Sequence, residues 1–118
     1  MRLRIRATTR ALVLAVAMAV PVGSLVSAVV HANDTNQVTI KTFKYGPKDI
    51  TVTAGTTVTW INKDPEPHTV VNKDGKFRSS ALDTDDTFSF TFNEPGTFNF
   101  FCTLHPQMTG TVTVVPKG

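Results

Sequence analysis

Cysteine, histidine and methionine are scarce in this chain: its 118 residues hold one, three and three of them. A lone cysteine excludes a disulfide framework, which needs pairs. No stretch beyond residue 32 keeps an apolar helical period, so a helical bundle is excluded too. Acids are absent from the first ten residues, which carry Arg2, Arg4, Arg6 and Arg10. Beyond residue 33 the opposite holds, for no block of Lys or Arg remains there.

The amino-terminal asymmetry identifies a leader. Behind the arginines, residues 11–30 form an apolar run broken by Pro21, Gly23, Ser24 and Ser27. A basic start, an apolar centre and a small-residue cleavage site make a secretory signal peptide. Residues 1–32 are assigned to it, with cleavage after Ala32 (Val30 at minus three) and Ala28 (Val26 at minus three) as the other option. The competing reading is an uncleaved anchor, since about twenty apolar residues span a bilayer. No adjacent pair of arginines points to the twin-arginine route. A periplasmic or otherwise exported domain, not inserted in the membrane once the leader is cut, is therefore expected over residues 33–118.

Removing the leader changes the charge balance. The whole chain has a net charge of +3 and a pI near 9.3, but residues 33–118 hold seven Lys and one Arg against seven Asp and two Glu, a net −1. Nucleic-acid binding needs a clustered positive surface, and that class is dropped. The 86 residues suffice for one domain with one core. They contain one cysteine, one methionine and two histidines: Cys102, Met108, His68 and His105.

Short alternating runs separated by turn residues fill this segment. Residues 38–41, 50–53, 57–61, 68–71, 88–92, 97–102 and 110–115 read as strands, residues 44–48 as a polar break, and residues 72–86 as the longest loop, with an acidic cluster at Asp83, Asp85 and Asp86. Pro65 and Pro67 keep the stretch before His68 out of any central strand. Seven or eight short strands of this kind predict an all-β, antiparallel sandwich or barrel. Alternation also predicts that Phe98, Phe100 and Cys102 share the inward face, with Trp60 a core residue.

Cys102, His105 and Met108 stand three residues apart in one tight loop. Taken singly each has a plainer role: a small buried hydrophobe for Cys102, core filling for Met108, a surface or hydrogen-bonded ring for either histidine. Taken together they supply a thiolate, an imidazole and a thioether, donors that suit copper, and zinc less completely. A blue-copper electron-transfer site takes two His, one Cys and a weak axial Met, and His68 supplies the second imidazole. Metal ligation by His68, Cys102, His105 and Met108 also accounts for the unpaired thiol. An enzyme with a second, open metal position would need further histidines, and residues 33–118 have none to spare. No catalytic residue is assigned.

The sequence around these residues, Pro67-His68 and the run from Phe100 through Cys102-Thr-Leu-His105-Pro-Gln-Met108 to Thr109-Gly110, resembles the cupredoxins, and most closely their amicyanin branch. Both gaps in the loop are two residues, whereas plastocyanin and azurin each have one longer gap. The resemblance implies a Greek-key sandwich of about eight strands, one type 1 copper with His68, Cys102 and His105 as strong ligands and Met108 as the weak axial one, and transfer of single electrons. It implies transient partners, a dehydrogenase or a cytochrome acting as donor or acceptor, and a monomer; His105, beside Leu104 and Pro106, is the expected point of contact. A copper carrier or storage protein of the same fold is the alternative. Two departures bear on this. Thr69 stands where many cupredoxins have an Asn that ties the two ligand loops, and Gln107 replaces an aromatic residue of the amicyanins. That second change leaves the amicyanin partner, methylamine dehydrogenase, without support.

Overall fold

In the computed structural model, residues 36–118 are described, together with Ala15, Ala17, Ala19 and Gly23. The signal peptide expected over residues 1–32 otherwise lies outside the described residues. Among the described residues no helix is long and apolar enough to cross a membrane.

There are eight strands, β1 Gln37–Lys41, β2 Lys44–Gly46, β3 Asp49–Thr53, β4 Thr56–Asn62, β5 Val71–Asn72, β6 Thr87–Phe92, β7 Gly96–Phe101 and β8 Thr109–Val115; six follow the alternating runs, β2 falls on the expected polar break, and of the run expected over 68–71 only a bridge at His68 and the start of β5 are strand-like. They form two four-stranded sheets, ordered β2-β1-β4-β6 and β3-β8-β7-β5. The all-β sandwich is as expected. Four of the strand pairs are antiparallel, but β1–β4 and β3–β8 run parallel. Alternation reports which face a residue takes and is the same for either direction, so the parallel pairs are not readable from it.

The core is aromatic. Trp60 is fully buried, with the rings of Phe100, Phe88, Phe77 and Phe92 at centroid separations of 5.4, 5.8, 5.9 and 6.3 Å. Among the described residues its Nε1 has no hydrogen-bond partner, which costs roughly 1–3 kcal/mol. An indole burying about 200 Å² gains on the order of 5 kcal/mol, so the burial prevails. Phe77 and Leu82, both in the polar 72–86 stretch, also join the core. That stretch folds back through antiparallel pairings of Val71 with Arg78 and of His68 with Leu82. Two isolated apolar residues carry no period, so their burial was not legible.

A two-residue hairpin loop, Thr42-Phe43, joins β1 to β2 and converts the expected polar break into a strand. Both loop residues have positive φ, 53° and 56°, the geometry of a tight hairpin that Asn and Gly normally fill. Neither residue favours it, and a compensating contact is needed. It comes from Asp64, whose carboxylate accepts the N–H groups of Thr42 and Phe43 at 2.6 and 2.9 Å. The parallel β1 and β4 thus end side by side and deliver this loop and the segment leading to His68 to one end of the sandwich.

Candidate metal centre

His68 follows the proline-flanked segment after β4 and is held by its own backbone, which exchanges two hydrogen bonds with Leu82 (3.1 and 2.7 Å). Its ring is wholly buried. Nε2 lies 2.9 Å from Asp64 Oδ2. A carboxylate only accepts, so Nε2 carries the proton of the neutral ring and Nδ1 keeps its lone pair. That lone pair faces the Nδ1 of His105 at 3.2 Å and the Cys102 sulfur at 3.9 Å.

Cys102 stands just past β7, fully buried, on the inward face that also holds Phe100. Its sulfur accepts the Thr69 N–H at 3.3 Å and lies 3.7 Å from His105 Nδ1. The loop to β8 is closed by two backbone bonds, Cys102 N–H to Met108 O (3.1 Å) and Met108 N–H to His105 O (2.9 Å). Met108 is thereby buried, at 3% exposure, while His105 remains half-buried. The ligand atoms of His68, Cys102 and His105 all lie within 4.8 Å of one another. The three residues read from sequence as strong donors come together, and Met108 is buried in the loop that closes over them.

Thr69 takes up the tying role left open by the missing Asn. Its Oγ1 accepts the Thr103 N–H at 2.8 Å and shares a hydrogen bond with the Thr103 hydroxyl, also at 2.8 Å. The carbonyl of Thr69 accepts from the buried Tyr45 hydroxyl at 2.6 Å. Burial, and then the charge on Cys102, push the Tyr45 phenol well above its ordinary range. Tyr45 is thus a neutral donor that locks the first ligand loop.

Two residues had escaped the sequence reading. Asp64 is nearly fully buried and bonded to His68, Thr42 and Phe43 at once. Burial works to raise its carboxyl pKa, but the hydrogen bonds from the Phe43 and Thr42 N–H groups and from His68 outweigh it and hold the carboxyl below the usual aspartate range. Phe43 sets its ring edge-on to both imidazoles, with centroids 5.3 Å from His68 and 4.9 Å from His105. The spacing of Asp64 four residues before His68 was the only signal for the first; nothing in the sequence marks Phe43.

Residues 11–114 match one family model, that of the cupredoxin-like domain. The chain belongs to the cupredoxin-like family. Among its relatives, the amicyanin of Paracoccus versutus is 40% identical over 80 residues, covering 64% of this chain. This cupredoxin spans 61% of that relative's length. The chloroplastic plastocyanin of Physcomitrium patens is 37% identical over 81 residues, covering 58% of this chain and 48% of its own. Among solved structures, a methionine-to-leucine variant of oxidised amicyanin superposes with a TM-score of 0.66 at 34% identity, covering 71% of this chain and 85% of the other.

The donor chemistry of this cupredoxin can be tested on its own geometry. A buried thiol and two imidazole nitrogens face one another, and the one nitrogen whose tautomer is fixed presents a lone pair to the group. Three such donor atoms gathered within 4.8 Å favour a cation at their centre once the thiol gives up its proton. Two imidazoles, a thiolate and a buried thioether are the donor set of a type 1 copper site, and copper is the ion that fits.

Proposed function

We propose that this cupredoxin is an exported blue-copper protein that passes single electrons between redox partners, with His68, Cys102, His105 and Met108 holding one copper ion. The observation that carries the reading is the convergence of His68, Cys102 and His105 within 4.8 Å in a packed sandwich end. Copper, when bound, supplies a one-electron Cu(I)/Cu(II) couple. The chain's own contribution is rigidity and selection. Asp64 aims Nδ1 of His68, the Thr69 N–H holds the Cys102 sulfur, and the Thr69–Thr103 pair ties the two ligand loops to each other. A mount this constrained resists rearrangement when charge changes, which suits electron transfer better than release of the ion.

His105 is the one proposed ligand whose ring reaches the surface. Phe43 and Leu104 beside it are 40% and 50% exposed, two of the few large apolar side chains so exposed among the described residues. A small apolar spot around that ring suits the brief encounters of redox proteins, and supports a dehydrogenase or cytochrome as partner. The arginine-led leader supports export.

Visible spectroscopy of the purified protein with added Cu(II) tests the site. An intense blue colour that Cys102→Ser abolishes, with a reversible one-electron wave in voltammetry, is expected. A colourless wild-type protein, or an equally blue serine variant, would falsify the ligand assignment. Rapid loss of the ion to a competing chelator, without a reversible wave, would favour the copper-carrier alternative.

A further inference from the structure

We propose that the face around His105 selects a redox partner whose contact surface carries carboxylates, and that Lys44 and Lys48 are the selecting residues; this deepens, and rests on, the electron-carrier reading. A groove of about 250 Å³ opens beside Met108, lined by Phe43, Lys44, Lys48, Gln107, Met108 and Thr109 among others, with no carboxylate in its wall. Both lysines are exposed, and among the described residues neither has a carboxylate within ion-pair distance. The topology explains why they meet. Lys44 opens β2 directly after the Thr42-Phe43 loop, and Lys48 precedes β3, whose first residue pairs with Thr111 just inside β8.

None of the acids near this end lines the groove, although Glu66 and Asp83, on the His68 side, have no ion-pair partner among the described residues. Asp64 turns inward to His68 and the hairpin loop. Asp85 pairs with Lys63 at 2.7 Å, and Asp86 accepts the Asp83 N–H, both within the loop that reaches the site from the His68 side through Leu82. Asp49 follows Lys48 and is exposed, but does not line the groove. Residues 33–118 carry a net charge of −1, so a groove with two unpaired cations is a local separation of charge and does not follow from a basic composition. It adjoins the Phe43 and Leu104 surface, giving an apolar centre with a charged rim on one side. That is the anatomy of a transient interface. Rim charges set the encounter rate and the choice of partner more than the affinity.

Stopped-flow electron exchange by the copper-loaded protein tests this against two probes of opposite face: reduced cytochrome b5, whose haem edge is ringed by carboxylates, and reduced cytochrome c, whose edge is ringed by lysines. The variant is Lys44→Glu with Lys48→Glu. Lys76→Glu, near the β6–β7 turn at the far end, is the control. The wild-type rate with cytochrome b5 should fall as salt is added, and the double variant should lose about tenfold at low salt, the scale of electrostatic steering. With cytochrome c the double variant should gain. Lys76→Glu should change neither rate, and the redox potential should be the same in all three proteins. If the double variant behaves as Lys76→Glu does, or the wild-type rate with cytochrome b5 rises with salt, the selection is refuted while the carrier reading stands. If no protein, wild type included, exchanges electrons with either cytochrome, the carrier reading falls and takes this inference with it.

Discussion

Asp64 decides which nitrogen of His68 faces the site: its Oδ2 lies 2.9 Å from Nε2, leaving Nδ1 directed at Cys102 and His105. The same carboxylate closes the hairpin loop that carries Phe43 over both imidazoles. One side chain thus sets the tautomer of one proposed ligand and the cover over two.

Stability should therefore depend on pH through Asp64. Its folded-state pKa is depressed, so the stabilisation is complete above the ordinary aspartate value of about 3.9 and is lost as pH falls through the lower folded value. Asp64→Asn in the metal-free protein should cost roughly 1.5–3 kcal/mol at neutral pH, the range for hydrogen bonds to charged groups. The gap from wild type should close on acidification. Thermal melts from neutral to strongly acidic pH check this; a gap of constant size would show that the carboxylate charge is not its source.

Thr69→Val keeps the backbone N–H that reaches the Cys102 sulfur but removes the acceptor of the Thr103 N–H. An orphaned polar group at this partly buried spot should cost about 1–3 kcal/mol. Urea denaturation is the measurement, and Thr69→Ser should restore most of the loss. Equal stabilities for the valine variant and wild type would mean that the loops are not tied through this hydroxyl.

Met108, as the proposed axial ligand, should tune the potential and contribute little to holding the ion. Met108→Gln is expected to retain copper and to lower the potential, because an oxygen donor favours Cu(II). Voltammetry of the two proteins decides the point, and identical potentials would remove Met108 from the ligand set.

Gly110 admits no side chain. A Cβ there would sit 2.6 Å from the Lys48 carbonyl and run into the ring of Phe100. The carbonyl is held by the Thr111 N–H at 3.0 Å and the ring is fully buried, so neither can yield. Gly110→Ala should destabilise by roughly 1–3 kcal/mol, visible as a lowered melting temperature. An unchanged melting temperature would contradict the observed register of β3 on β8.

Much of this protein was determined locally. The period of two in runs such as Phe88-Ser-Phe90-Thr-Phe92 marks strands because alternate side chains must take opposite faces. Cys102, His105 and Met108 could be read as a unit because one short loop carries all three, and His68 because residues 33–118 offer no other histidine. What lies across the sandwich could not be read in this way. The Asp64 bonds to Thr42 and Phe43 join residues 22 and 21 positions apart, and the Thr69–Thr103 bond spans 34. Whether such residues meet depends on strand order and on the parallel pairing of β1 with β4 and of β3 with β8, which alternation leaves open. Tertiary structure alone therefore decided the tautomer of His68, the placement of Phe43 and the grouping of Lys44 with Lys48, because each is set by packing between segments that share no local signal.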